Sequence, residues 1–377
     1  MTAPSGAIRE TIESGNVGTD TAGVVTGLLA EAEAGRPWVI AELSANHDGS
    51  LTRALDTIDA IADTGAQTVK FQTYTAESMT LDSPEPAFRV VDDHGLWGGR
   101  GLFDLYREAG TPYEWHAELF EHSRAKGLVP FSSPFDAAAV ELLESVGCEI
   151  YKIASAELLD LPLIRLAAST GKPLVISTGM ASLGEIEAAL SAARTAGSGE
   201  VVLLSCTAAY PADPAQSHLA NIAVLRDAFG VPVGLSDHTP GIGVPVAAVT
   251  LGAVAVEKHI TLSRQGGGVD SAFSLEPAEL AALVRECAAA RAAVAPGPAF
   301  GVRPGEEATA RLRRSLWVTE DVAAGDVVGP STVRSLRPAG GLLPANWEDV
   351  VGRPFTRTVS RGTPLSWDQL LGGDLRS

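Results

Sequence analysis

Two short stretches of this chain carry residue types that can bind a cation, SDHTPGIG at 236–243 and VEKHI at 256–260. Each follows a brief apolar run, VPVGL and LGAVAV, of the kind that forms a buried parallel strand. Alternation along a strand puts Gly234, Ser236 and His238 on one face, and Ala255, Glu257 and His259 on one face of the next. Two imidazoles and a carboxylate would then stand at the carboxyl ends of consecutive strands. Imidazoles with nearby oxygen ligands suit Mn²⁺, Fe²⁺ or Zn²⁺, although two histidines at this spacing can equally be satisfied core groups. Lys258 has the opposite parity to His259 and should face the helix layer.

The same period of two places further chemistry inward. The run WVIAELSANH sends Ile40, Glu42 and Ser44 to one face, and a carboxylate there is costly unless it serves a ligand or a cation. TVKFQ turns Lys70 and Gln72 inward, and EIYKIASAE turns Lys152 inward with Ser155 and Glu157 just past its end. Ser133, Ser177 and Cys206 close other strands, with Tyr210 beyond. Two inward lysines among hydroxyls make a cage for phosphate or carboxylate, each lysine a point charge and each hydroxyl a donor. Three functions fit these residues. One is a metal-assisted condensation with an anionic co-substrate. Another is a Schiff-base aldolase using Lys70 or Lys152 as nucleophile. A carbohydrate-binding protein without catalysis is the third, and it leaves the costly buried charges unexplained.

The elements that must hold these groups follow a repeat. Apolar runs at 38–43, 67–72, 128–132, 149–154, 173–177, 201–205, 231–235 and 253–257 alternate with amphipathic helical segments. Eight βα units in about 260 residues predict a (β/α)₈ TIM barrel, α/β in class, whose active site lies at the strand carboxyl ends. A doubly wound open sheet is the alternative, but no GxGxxG follows the first strand. Residues 73–112 are too long for a βα loop and read as a lid or binding loop. The expected domains are a flexible amino-terminal extension at 1–36, with room for one short helix at its apolar patch VVTGLLA, the barrel at 37–296 and a Pro/Gly-rich linker at 297–312. A small, mostly β domain at 313–377 completes the chain.

A formal charge of −18 argues against nucleic acid or an anionic membrane as partner. The three cysteines, Cys148, Cys206 and Cys287, are scattered without CxxC spacing and read as buried thiols in a reducing cytoplasm. No apolar run reaches membrane-spanning length.

AELSANHDGS (41–50), VKFQTYT (69–75), FSSPFD (131–136), YKIASAE (151–157), STGMAS (177–182), LSDHT (235–239) and EKHI (257–260) together resemble the sialic acid synthase family. Its members join phosphoenolpyruvate to a hexosamine-type aldehyde sugar, making nonulosonic acids. The resemblance runs from about residue 38 onward and includes a carboxyl-terminal antifreeze-like (SAF) domain. It implies phosphoenolpyruvate contacts from Lys70, Ser133, Lys152, Ser155 and Ser177, and metal ligation by His238 and His259. Mn²⁺ is the ion it favours, with Mg²⁺ or Co²⁺ also suited. Sugar contacts are implied for Glu42, Gln72, Glu157, Tyr210 and Asp270. Arg337, in SLRPAGG, matches an arginine that reaches the neighbouring subunit's sugar site in a domain-swapped homodimer. The segment 96–121 resembles the branch that makes pseudaminic acid, using 2,4-diacetamido-2,4,6-trideoxy-L-altrose rather than N-acetylmannosamine. Ala208 stands where neuraminate synthases carry Asn, Asp48 where this branch more often has Asn, and Gly101 where it often has Thr.

Overall fold

Eight parallel strands close on themselves in the structure, a computed structural model that describes residues 21–91, 95–297 and 299–372. They are β1 (Trp38–Glu42), β2 (Thr68–Thr73), β3 (Val129–Pro134), β4 (Tyr151–Ile153), β5 (Leu174–Ser177), β6 (Val201–Cys206), β7 (Val233–Asp237) and β8 (Ala255–His259). Every one falls on an apolar run named above, with β4 only three residues long. Pairing of β1 with β8, Trp38 against Ala255 through Glu42 against His259, closes the barrel and excludes the open doubly wound sheet.

The helices between strands have local causes. Leu51–Ala62 buries Ala54, Ile58 and Ile61 on one stripe, and the Ser50 hydroxyl accepts from the Arg53 amide at its start. Leu183–Ala196 opens on a Ser182/Glu185 capping box and stops at Gly197, whose φ of 95° suits glycine. Inside the barrel Gly234 is obligatory by space. A Cβ there would come within 2.5 Å of the Ala255 carbonyl oxygen and 2.7 Å of Leu204.

Register aligns the chemistry. Glu42 lies opposite Lys70 on β2 and His259 on β8. Gln72 lies opposite Ser133, and Ser236 opposite Glu257. Lys258 points outward as its parity requires, its ammonium 2.6 Å from the Asp237 carboxylate and bonded to the Thr239 carbonyl. This buried ion pair ties together the strand ends that carry His238 and His259.

The expected amino-terminal extension needs correction. Residues Thr21–Glu33 form a helix whose Val25, Leu28 and Ala32 are buried, the first two within the barrel's hydrophobic core. The sequence TAGVVTGLLAEAE places those side chains three, four and seven apart, a short helical stripe set among Gly, Thr and Glu. Residues 1–20, also read as extension, lie outside the described residues. The excursion after β2 holds a short helix at Ala76–Met79 and another at Leu102–Ala109; its residues 92–94 likewise lie outside.

The described residues from 296 to 372 form a second compact unit, distinct from the barrel unit that ends at 295. A short helix, Glu307–Ala310, interrupts the stretch read as linker. Two antiparallel strands, β9 (Ser315–Val318) and β10 (Val333–Leu336), pack with Val350, Phe355 and Leu365 into its own small core.

Candidate active site

A cavity of about 470 Å³ opens at the carboxyl ends of the barrel strands. Glu42, Lys70, Gln72, Lys152, Ser155, Glu157, Ser177, Tyr210, His238, His259 and Asp270 all line it. Ser133 does not, being only 1% exposed and set in β3 opposite Gln72. Arg337 belongs to the second unit, where it is exposed in a separate groove beside Trp317.

At the cavity floor four charged groups compensate one another. The Lys70 ammonium lies 2.8 Å from Glu42 and 3.2 Å from Glu257. Lys152 lies 3.4 Å from the other oxygen of Glu257, which also accepts from the Ser236 hydroxyl at 2.8 Å. Gln72 donates to Glu42 at 2.8 Å, and His259 Nε2 stands 3.3 Å from the second Glu42 oxygen. Burial opposes the Glu42 carboxylate, but His259 and then the lysines outweigh it and hold the group well below the usual carboxylate range. For Lys70, burial is outweighed by Glu257 and Glu42, and its pKa rises. Lys152 goes the other way: burial, its largest influence, wins over Glu257, and its pKa falls. Lys152 has one carboxylate contact where Lys70 has two, so an arriving anion would supply the partner it lacks.

Hydroxyls complete the cage. Those of Ser133 and Ser177 are buried without a hydrogen-bond partner among the described residues. Ser155 Oγ accepts from the Gly179 amide at 3.1 Å, an approach that a side chain at Gly179 would block at 2.7 Å. An unpaired buried donor is costly, and a ligand oxygen in the cavity would relieve that of Ser177.

The two imidazoles face the same space, ring centroids 5.4 Å apart. His238 Nδ1 lies 3.1 Å from the Thr207 carbonyl, which can only accept, so Nδ1 carries the proton and Nε2 keeps its lone pair. Burial, with His259 adding to it, lowers the His238 pKa to about 3, so the ring is neutral and fit to ligate. His259 Nδ1 is buried without a partner, 3.7 Å from the Asp270 carboxylate. Among the described residues no cluster of three or more His, Cys, Asp or Glu is arranged as a metal site. The two imidazoles fit a divalent ion whose remaining positions are filled from the cavity.

The rim adds contacts that the strand pattern did not give. Ser44, at φ 46°, donates to Asp270 at 2.6 Å, so a left-handed turn after β1 fixes that carboxylate. Trp97 Nε1 donates to the Val269 carbonyl at 3.0 Å, joining the excursion to the loop that carries Asp270. Tyr210 packs on His238, with centroids 4.3 Å apart, and Phe273 on His259 at 5.0 Å. Glu257 was legible from its parity with His259, although not as the bridge between two lysines. Phe273 and Trp97 lie in loops, where no periodicity marks them. Glu157 sits in a 3₁₀ turn, one oxygen unpartnered, and burial raises its pKa.

A family model described as NeuB matches residues 57–297, and a SAF domain model matches residues 313–371. The chain therefore belongs to the NeuB family and carries a SAF domain after its barrel. Among its relatives, the pseudaminic acid synthase of Helicobacter pylori is 40% identical over 337 residues, 89% of this chain and 98% of the relative. The pseudaminic acid synthase of Campylobacter jejuni is 38% identical over 330 residues, 87% and 95% of the two chains. A crystal structure of an N-acetylneuraminic acid synthetase from Leptospira borgpetersenii, in complex with citrate, superposes with a TM-score of 0.64 at 33% identity. The match covers 73% of this chain and 90% of that one.

Proposed function

We propose that this chain condenses phosphoenolpyruvate with 2,4-diacetamido-2,4,6-trideoxy-L-altrose, yielding pseudaminic acid and phosphate. One arrangement carries the reading: Lys70 and Lys152 joined through Glu257, with the unpartnered Ser177 hydroxyl, beside the His238/His259 pair in one cavity. The sugar is supported by the two pseudaminic acid synthases that match nearly their whole length.

Carbon 3 of phosphoenolpyruvate attacks the sugar's aldehyde carbon, water adds at carbon 2, and the resulting tetrahedral carbon expels phosphate by C–O cleavage. Lys70 and Lys152 hold the phosphate and carboxylate, with Ser155 and Ser177 as donors, so positioning and fixed positive charge supply the catalysis. A divalent ion on His238 and His259, Mn²⁺ foremost, would supply Lewis acidity at the aldehyde oxygen. Glu42, ionised and oriented by Gln72, accepts from a sugar hydroxyl, as does Asp270 held by Ser44. Tyr210 packs against the sugar. Glu157, its buried carboxyl raised in pKa, is suited to carrying a proton.

The same reading makes the protein a cytoplasmic homodimer in which Arg337 of one subunit serves the sugar site of the other. Arg337 is exposed and has no side-chain partner among the described residues. Mixed dimers of Arg337→Ala and His238→Ala subunits should then regain activity that neither variant has alone. Equal activity in mixed and unmixed samples would remove that shared site.

The deciding experiment is phosphate release from phosphoenolpyruvate with Mn²⁺, offering the altrose sugar, its manno counterpart and N-acetylmannosamine in parallel. Turnover with the altrose alone supports the reading. Turnover chiefly with another sugar keeps the reaction and makes the chain a legionaminic or neuraminic acid synthase. No release, with borohydride trapping of a keto substrate on Lys70 or Lys152, replaces the condensation by Schiff-base chemistry.

A further inference from the structure

The ladder between β7 and β8 runs out where the two imidazoles begin. Its last rung sets Asp237 opposite Lys258, and His238 is the next residue along. His238 is held from the β6 side: its carbonyl accepts from the Ala212 amide at 3.0 Å and its Nδ1 donates to the Thr207 carbonyl. His259 is held from the β1 side, in register with Glu42. Past the last rung the two ends are joined by a clasp on the outer face of the barrel. The Lys258 ammonium, its side chain fully buried, bonds the Asp237 carboxylate and the Thr239 carbonyl, which belong to the residues on either side of His238. Asp237 in turn accepts from the Thr239 amide at 3.2 Å and from its hydroxyl at 3.0 Å. The grip therefore spans His238 and is rooted one residue from His259.

Stability alone would be served as well by apolar side chains of the same volume. Such side chains could not fix a backbone carbonyl and amide beside His238, because hydrogen bonds are directional and apolar contacts are not. Two imidazoles serve one divalent ion only if both lone pairs reach it together, at about 2 Å, so freedom in either strand end lowers affinity. We propose that Lys258 and Asp237 are positioning residues for the cation site, setting the separation of His238 and His259 from outside the cavity. The inference rests on the proposed role of those histidines and adds to it two residues that line no part of the cavity.

Mn²⁺ binding to the substrate-free protein, followed by the electron paramagnetic resonance of the free ion, tests this apart from turnover. The unaltered protein should bind an ion that His238→Ala does not. Lys258→Met should bind about 10- to 100-fold more weakly, as when outer partners of metal ligands are removed. In Lys258→Met/Asp237→Leu no charge is left buried, so part of the stability returns, yet Thr239 stays ungripped and the weak binding should persist. That double variant carries the readout by itself if Lys258→Met does not fold, with circular dichroism at the assay temperature as the check. Parent-like Mn²⁺ affinity in the folded double variant overturns the inference and leaves the clasp a stabilising device, while the histidine assignment stands. Equal binding by the unaltered protein and His238→Ala, or none by either, removes the cation site and the inference with it. Phosphate release by the unaltered protein then still decides the reaction.

Discussion

His238 and Lys152 are each buried against their charged form, and the two outcomes define what the site offers at rest. In the proposed reaction a cation would meet the neutral His238 imidazole at Nε2, and an anion would meet Lys152, which has a single carboxylate contact. His238→Ala should abolish turnover while the melting curve and circular dichroism stay near those of the parent. Full activity of that variant without added divalent ion would end the metal assignment. Lys152→Met should raise the KM for phosphoenolpyruvate far more than that for the sugar, measured by varying each in turn. A third residue acts on stability. His47, buried against Trp115, has its pKa lowered by burial from 6.5 to about 4. The unfolded chain therefore binds the proton first as the pH falls. The resulting stability is full above 6.5 and is lost down toward 4, by at most about 1.4 kcal/mol per pH unit. Burial lowers His116 in the same direction. Urea titrations across that window should show a shallower slope in His47→Gln than in the parent.

At the scale of elements, β7 and β8 are locked by a charge pair on the side away from the cavity. Lys258→Met leaves the Asp237 carboxylate buried without a counter-charge, held only by Thr239, and should cost about 3–5 kcal/mol in a denaturant titration. Joining it with Asp237→Leu should return part of that loss, because no buried charge is left, while Thr239 still loses its bonds to both side chains. The eight strands were legible because each is buried on both sides and so reads as a continuous apolar run. Their inward residues were legible because parity is strict within so short a strand. Parity also sent Lys258 outward, where it is found. What parity could not give is partnership: that Glu257 bridges both lysines depends on three strands meeting, a non-local fact. Nor could it place Trp97 or Phe273, whose positions come from loop paths. The patch VVTGLLA was legible as room for a short helix, but its packing on the barrel was not, because the apolar stripe is short and set among Gly, Thr and Glu.

The whole molecule carries a formal charge of −18, and its proposed co-substrate is a polyanion. Long-range repulsion then opposes encounter even though the cavity floor attracts at short range. Raising ionic strength from about 10 to 150 mM shortens the Debye length from about 30 to 8 Å and should raise kcat/KM for phosphoenolpyruvate. A fall over that range would mean that the cavity's own field dominates. The helix Thr21–Glu33 bears on the molecule's outline in a different way. Sequence composition suggests trimming the chain just before Trp38, yet Val25 and Leu28 lie in the barrel core together with that tryptophan. Each such side chain contributes about 1.5–3 kcal/mol by its burial. A chain beginning at residue 37 would present bare apolar surface where β1 starts and should clump on heating, whereas one beginning at residue 21 should not. For anyone preparing, fusing or immobilising this protein, the permissive seam lies ahead of that helix, and a tag joined directly to Trp38 would sit where the core expects leucine and valine.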